Sequence, residues 1–345
     1  METHLAHIRR DSVGAMIAAQ PVSDHCHNTA AYAASALEPV KLSAAGKTAG
    51  LLHDIGKYSE QFQAYIKDGI GTRGLVNHTF AGVRLLLERY HHEPPENLAD
   101  IAAELLALAV GGHHGEFDCV DKGGKSGFQH RLNKEGIGYE GAVENFFRFC
   151  APLEELDRYV RAAQEELVPV LEHILSMTGE DADDGRYDEE TAFYSGLLAR
   201  LLLSAVIEGD RRDTAAFMNG AHFSERQNAE ALQQLWSGCL DRVEEKLDEL
   251  PRSSSIDRAR RMISDQCKKS ADRPSGVFRL GIPTGGGKTL SGLRFALAHA
   301  RRHRKQRIIF TSPLLSILEQ NAAVIRDYIQ DNSLILEHHS NLVRT

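Results

Sequence analysis

The chain has 345 residues, 42% of them hydrophobic and 26% charged, which is ordinary for a globular protein and long enough to expect two domains. No uninterrupted apolar run reaches the length of a membrane span, and the opening Met1-Glu2-Thr3-His4 lacks the layout of a signal peptide. The five cysteines lie far apart and form no CxxC pair, so the expectation is a reduced, cytoplasmic protein with no membrane partner.

The net charge of −8 is unevenly spread: Lys+Arg against Asp+Glu is 23 versus 41 over residues 1–250, and 17 versus 7 over 251–345. An acidic first part cannot gather a polyanion by bulk charge and needs metal ions or local basic groups. The basic second part suits phosphate-rich partners.

In chain order, residues 24–38, 46–52, 79–91 and 99–110 carry apolar side chains at helical spacing. Residues 115–139 hold six glycines among charges and read as an irregular segment near a site. Residues 153–177 read as an amphipathic helix with an acidic face, 178–190 as an exposed acidic loop, and 191–208 as a helix. Within that helix, 197–207 is apolar nearly all round, as a buried helix is. Residues 226–249 form another acidic-faced helix, and Pro251 with Ser253-Ser254-Ser255 marks a break. No clear strand pattern precedes residue 270, so the first part, 1–250, is expected to be all-α. The pattern then changes. Residues 277–282 read as a strand, 285–287 as a glycine loop, 288–302 as a helix, 307–311 as a second strand and 314–329 as a helix. That alternation is the start of a parallel α/β sheet over 251–345.

The first part carries an ordered set of metal-ligand residue types at the ends of its core helices: His25, His53-Asp54, His78, His113-His114 and Asp210. A carboxylate at the end of a buried helix needs a partner, and a divalent ion is one. Mixed imidazole and carboxylate donors suit Mn, Fe, Co, Ni or Zn, with Mg as a further candidate. Seven donors also suffice for two ions that share one carboxylate, an arrangement able to clamp an in-line phosphoryl displacement. His27, His91, His92 and His130 read as surface residues. Lys57 lies one helical turn past Asp54 and could reach a phosphate, or else stands exposed.

This ordered set resembles the HD superfamily of metal-dependent phosphohydrolases. More specifically, it resembles the HD nuclease domain of the CRISPR-associated nuclease-helicase of type I systems. The residues that carry the likeness are His25 with Thr29-Ala30, His53-Asp54-Ile55-Gly56-Lys57, His113-His114-Gly115 and Asp210-Arg211-Arg212-Asp213-Thr214. The resemblance implies a mainly α HD-domain helical fold with two ions. His25, His53, Asp54 and Asp210 would hold one, and Asp54, His78, His113 and His114 the other, with Asp54 as the bridge and Lys57 at the scissile phosphate.

The second motif is Pro283-Thr284-Gly285-Gly286-Gly287-Lys288-Thr289, between an expected strand and helix. Glycines there let backbone N–H groups face phosphate oxygens, while Lys288 reaches the β/γ-phosphates of ATP and Thr289 holds Mg. Ile282 takes the first glycine position of the strict GxxxxGK(S/T) form, but a PTGGGKT loop resembles those of superfamily 2 helicases. The stretch from Arg307 to Asn321 and Leu336-Glu337-His338-His339-Ser340-Asn341 resemble the same helicases. Residues 251–345 are therefore expected to be a partial RecA-like P-loop domain. No DExx box follows the P-loop before Thr345, so a C-terminally truncated motor is expected, with ATP-driven activity only in a full-length protein.

The resemblance implies hydrolysis of phosphodiester bonds in single-stranded DNA, in antiviral defence and on recruitment by an RNA-guided surveillance complex. Two alternatives stand beside it: an HD phosphohydrolase acting on nucleotides, and a non-catalytic regulator that binds nucleic acid.

Overall fold

A computed structural model describes residues 4–70, 78–115, 127–133, 138–178, 186–220 and 229–339. Most of the glycine-rich segment 115–139, the core of the acidic loop 178–190 and Ser340-Asn341 lie outside the described residues. The chain divides into two compact units, Met1–Phe223 and Ser224–Thr345.

The first unit opens on an antiparallel hairpin, β1 (Leu5–Arg10) and β2 (Met16–Pro21), which corrects the expectation of an all-α first part. Asp11 and Gly14 make its turn. The Asp11 carboxylate accepts from the backbone N–H of Val13 and Ala15 at 3.0 and 2.8 Å, and Gly14 adopts φ +87°. The ladder is irregular between Leu5 and His7 and between Arg9 and Arg10, and Val13, Met16 and Ile17 are exposed. Those irregularities and the exposed apolar residues hide the two-residue alternation that identifies a strand.

Helices follow: α1 (Val22–Leu37), α2 (Ser43–Leu52), α3 (Glu60–Asp68), α4 (Phe80–Tyr90), α5 (Leu98–Gly112), α6 (Gly127–Leu132), α7 (Tyr139–Phe149), α8 (Leu153–Thr178) and α9 (Arg186–Asn219). Their starts follow capping chemistry where it is present. Asn97 and Asp100 form a reciprocal capping box on α5, and the Ser59 hydroxyl accepts from Phe62 N–H on α3. The core joins Ala30 and Ala33 of α1, Leu51 and Leu52 of α2, Leu106 and Val110 of α5, Leu156 and Val160 of α8, and Leu202 and Val206 of α9.

Glycine permits the closest crossings. A Cβ on Gly50 of α2 would come within 2.7 Å of Ala30 Cα, and one on Gly209 of α9 within 2.7 Å of the Thr29 carbonyl oxygen. Both contacts press a ligand-bearing helix against α1.

Helix α9 is apolar enough over Glu189–Asn219 to satisfy the length and composition of a membrane span. It nevertheless gives Leu198, Leu202, Ala205 and Val206 to the protein core. Its other face keeps Phe193, Leu197 and Leu201 exposed, so the helix packs on one side and is not buried all round as its composition suggested.

The second unit begins earlier than residue 251. Helix α10 (Ala229–Glu249), assigned by sequence to the first part, shares a core with α12 (Lys288–Arg302) and α13 (Leu315–Ile329) through Leu240, Val243, Leu293, Leu297 and Ile329. Helix α11 (Ser255–Ser270) packs beside α12. Arg294 of α12 is buried and bonded to Glu244 and Asp265 at 2.5 Å each.

The expected parallel sheet is not formed among the described residues. Residues 277–282 and 307–311 carry no strand hydrogen bonding, and Val277 and Ile309 are exposed. An extended segment becomes a strand only when a neighbour satisfies its backbone groups, and no described segment pairs with either. The helices of the α/β expectation are present, but the sheet that would define a RecA-like layer is not found among the described residues.

Candidate metal centre

Three helix ends, one loop and the interior of one helix bring the histidines and aspartates of the first unit together. His25 lies in the first turn of α1. His53 follows α2 directly and Asp54 follows His53. His113 follows α5 in the same way, with His114 next to it. His78 precedes α4, and Asp210 lies within α9. His25, His53, Asp54 and His113 are buried, whereas Asp210, His78 and His114 face increasingly outward.

Two of these ends use one device. His53 Nδ1 lies 2.7 Å from the carbonyl oxygen of Gly50, and His113 Nδ1 lies 2.7 Å from that of Val110, each three residues back in its own helix. A carbonyl only accepts, so each ring donates from Nδ1. Each Nε2 lone pair is thereby turned toward the cluster, in the tautomer a ligand needs.

His25 is held from behind by Asp213, whose Oδ2 lies 2.6 Å from Nδ1. Its Nε2 then faces Asp54 Oδ2 at 3.1 Å, Asp210 Oδ1 at 3.4 Å and His53 Nε2 at 3.2 Å. Asp213 also accepts from Gln20 at 2.8 Å and from Asn28 at 2.8 Å.

The ligand atoms fall into two groups that meet at Asp54. The donors of His25, His53, Asp54 and Asp210 lie within 4.8 Å of one another, as do those of Asp54, His78, His113 and His114. Asp54 Oδ2 faces the first group. Its Oδ1 faces the second, 3.5 Å from His113 Nε2 and 3.6 Å from His78 Nε2. His78 and His114 bring their Nε2 atoms to 2.8 Å.

This arrangement fits a divalent cation on two grounds. Asp54 Oδ1 and His113 Nε2 are buried and have no hydrogen-bond partner, and an unsatisfied buried polar atom is costly. Ring nitrogens also converge in pairs, and lone pairs approach this closely only with a proton or a metal ion between them. The mixed donors suit Mn, Fe, Co, Ni or Zn.

Apart from His25, the shifted groups of the cluster take the ionisation of a metal site. Burial alone would raise the Asp54 carboxyl, but Lys57 and His53, then His113 and His25, overcome it and hold it well below its ordinary value. Asp210 is also lowered, as His25 and His53 outweigh its burial. Burial pushes His53 down and His78 down to about 4, and burial together with His113 lowers His114. Neutral imidazoles beside charged carboxylates are the ligand forms a cation requires. At His25 burial and Lys57 oppose protonation, yet Asp210, Asp213 and Asp54 prevail and carry it up to about 9.

Lys57 is buried rather than exposed. Its ammonium lies 2.6 Å from Asp54 Oδ2 and 3.4 Å from His7 Nε2. His91, read as a surface residue, turns its ring against Glu104 at 2.9 Å.

Sequence reasoning left out Asp213, Gln20 and His7, which surround His25 without belonging to either group. Only the Asp-x-x-Asp spacing of Asp210 and Asp213 hinted at the first of them: three residues apart on a helix, the two carboxylates share a face.

In the second unit, the glycine loop leads directly into α12. Gly285 and Gly287 take φ +78° and +82°, which only glycine adopts readily. Arg260 of α11 donates to the Gly285 carbonyl at 2.8 Å, and the Thr289 hydroxyl donates to Asn321 at 2.9 Å. Gly286 lies between them, and Lys288 is exposed at the start of the helix.

Residues 9–205 match the protein family described as "Cas3, HD domain". No curated protein matches the chain.

Proposed function

The chain belongs to the Cas3 HD-domain family of metal-dependent nucleases of CRISPR defence, and on that premise we propose that it hydrolyses phosphodiester bonds of single-stranded DNA with two divalent ions that share Asp54. The observation that carries this reading is the meeting of two four-residue groups at one carboxylate whose two oxygens face opposite groups.

His25, His53, Asp54 and Asp210 would hold one ion, and Asp54, His78, His113 and His114 the other. When bound, such a pair supplies Lewis acidity and can clamp the attacking and leaving oxygens of an in-line displacement. The chain's own residues prepare that chemistry. The backbone carbonyls of Gly50 and Val110 aim two rings, Asp213 aims a third, and burial keeps His53 and His78 neutral. The outward side of the cluster, at His78, His114 and Asp210, is where a strand would approach, and an extended single strand enters such a recess more readily than a duplex. Lys57 would offer positive charge next to the phosphate.

The second unit would be the beginning of a helicase motor, with Gly285, Gly286, Gly287, Lys288 and Thr289 cradling ATP and Mg. Recruitment by an RNA-guided surveillance complex would bring the nuclease to its strand.

The test is cleavage of single-stranded DNA by the purified protein in Mn²⁺, with a panel of nucleotides in parallel. Metal-dependent cutting that chelator abolishes, and that falls on the order of 10³-fold in Asp54→Ala with the helical circular dichroism retained, is the expected result. Undiminished cutting by folded Asp54→Ala overturns the assignment. Hydrolysis confined to the nucleotides moves the substrate from DNA to a small molecule.

A further inference from the structure

The N-terminal hairpin reaches the surroundings of the metal centre through two side chains, His7 and Gln20. The register of β1 and β2 sets His7 directly opposite Gln20, and their side chains meet with Nδ1 2.8 Å from the Gln20 Oε1. The orientation of the Gln20 amide is fixed from its other end, where Nε2 donates to Asp213 Oδ2 at 2.8 Å. A carboxylate accepts only, so the amide nitrogen must face Asp213 and the amide oxygen must face His7. His7 therefore donates from Nδ1 and keeps a lone pair on Nε2.

That lone pair lies 3.4 Å from the Lys57 ammonium. An ammonium group only donates, so the polarity matches. Lys57 in turn reaches Asp54 Oδ2 at 2.6 Å. A continuous line of donors and acceptors runs from Asp213 through Gln20, His7 and Lys57 to the carboxylate shared by both ligand groups.

The surroundings hold His7 in place. Its ring lies edge-on to His25 at 4.6 Å between centroids and stacks on Phe217 at 6.3 Å. Gln63 of α3 braces the backbone, as its amide nitrogen donates to the carbonyls of Leu5 and Lys57 at 3.0 and 2.7 Å. The strand that bears His7 and the turn that bears Lys57 are thus tied by one side chain.

We propose that His7 is a positioning residue: its Nε2 fixes the Lys57 ammonium at the Asp54 end of the site, where it would meet the substrate phosphate. This rests on the nuclease reading above. A lysine stem has a large rotamer entropy, so the Asp54 contact alone leaves the ammonium free to swing about that carboxylate, and a second acceptor at His7 fixes its direction. The hairpin then serves the chemistry through Lys57 without supplying a ligand to either four-residue group.

The test compares His7→Phe, which keeps the ring volume and removes the acceptor, with His7→Gln, which keeps an acceptor. The first measurement uses metal-free protein and a succinimidyl ester that acylates amines, with Lys57 labelling followed by peptide mass spectrometry. Labelling several-fold faster in His7→Phe, and close to wild type in His7→Gln, is expected. The second measurement is cleavage of single-stranded DNA. His7→Phe should lower kcat by about tenfold to a hundredfold, the scale of a small misplacement, with unchanged Mn²⁺ affinity and recovery in His7→Gln. In a Lys57→Met background, His7→Phe should add no further loss.

Unchanged labelling in His7→Phe, or losses that multiply in the double variant, overturn the proposal. Should His7→Phe not fold, Gln20→Met breaks the same line one step earlier and must shift labelling and kcat in the same direction, and its failure to do so is equally fatal. If the wild-type protein cuts no DNA, the nuclease reading falls while the labelling comparison still decides whether His7 holds Lys57.

Discussion

In the first unit His25, His53 and Asp54 are fully buried, and both rings are aimed by a partner behind them. In the second, Lys288 and most of its glycine loop stand at the surface, shaped by backbone torsions rather than by enclosure. On the proposed reading, the two regions are two ways of preparing for phosphate chemistry. A metal centre gains strength from exclusion of water, because low dielectric sharpens every interaction among charged ligands. A phosphate loop must stay open to a highly charged ligand and needs only the correct turn of its N–H groups. The acidic first unit can afford carboxylates because cations are to neutralise them, whereas the basic second unit carries its countercharge in its own side chains.

That contrast can be broken in graded steps. The largest stability effect is expected at Gly209→Val, which forces side-chain atoms onto the Thr29 carbonyl. Overpacking of this kind costs about 1–3 kcal/mol and sometimes more, and thermal unfolding should show the first unit destabilised. Equal destabilisation of the second unit would show that the two do not behave separately.

Metal addition comes next. Saturating Mn²⁺ at about a hundred times its Kd should stabilise the wild type by about 2.7 kcal/mol. Asp54→Ala should show little of that gain by calorimetry, and an undiminished shift would place the ion elsewhere.

A smaller effect is expected at Glu244. Burial would raise its carboxyl, but Arg294 and then Lys268 outweigh burial and hold it below its ordinary value. A depressed carboxylate contributes stability that is present above its unfolded pKa and lost as pH falls through the folded one. Glu244→Gln should therefore lower the Tm of the second unit at pH 7 by an amount that shrinks as the pH drops below about 4.5. A difference that stays constant with pH would remove the ion pair with Arg294 from the account. The partial exposure of Glu244 keeps the expected effect to about 1 kcal/mol or less.

The smallest effect is expected at Lys288→Ala. It should weaken ATP retention on a filter while leaving nucleotide-free DNA cleavage within about twofold, the scatter expected where two sites are energetically independent. A large loss of cleavage would join the two regions functionally.

Much of the candidate metal centre is legible in the chain because metal ligation uses few residue types and sets most of them at or beside helix ends. His25, His53, Asp54, His78, His113, His114 and Asp210 stand out for that reason, and the structure brings their donor atoms together. The residues that aim them do not stand out. Asp213 meets His25 across 188 positions, and Gln20 meets Asp213 across 193. Contacts that distant leave no spacing to read. The hairpin escaped because an irregular two-stranded ladder with exposed apolar residues has no clean alternation. In the second unit the helices at 288–302 and 315–329 are read almost to the residue, because an amphipathic helix satisfies its own backbone. The two strands are read wrongly as paired elements, because a strand is a property of two segments and the sequence displays only one at a time.

The bonds from His53 and His113 back to their own helices have a consequence for protein engineering. Each ligand arrives with its splint: the carbonyl that orients the ring belongs to the helix end that carries it. The bond is short and local in sequence, so it can be transplanted. A designer who ends a buried helix on histidine, and leaves the carbonyl three residues earlier free to accept, obtains an aimed imidazole without building a second partner for it. Two such helix ends, set face to face across a carboxylate, would make a dinuclear scaffold from parts no longer than a single turn.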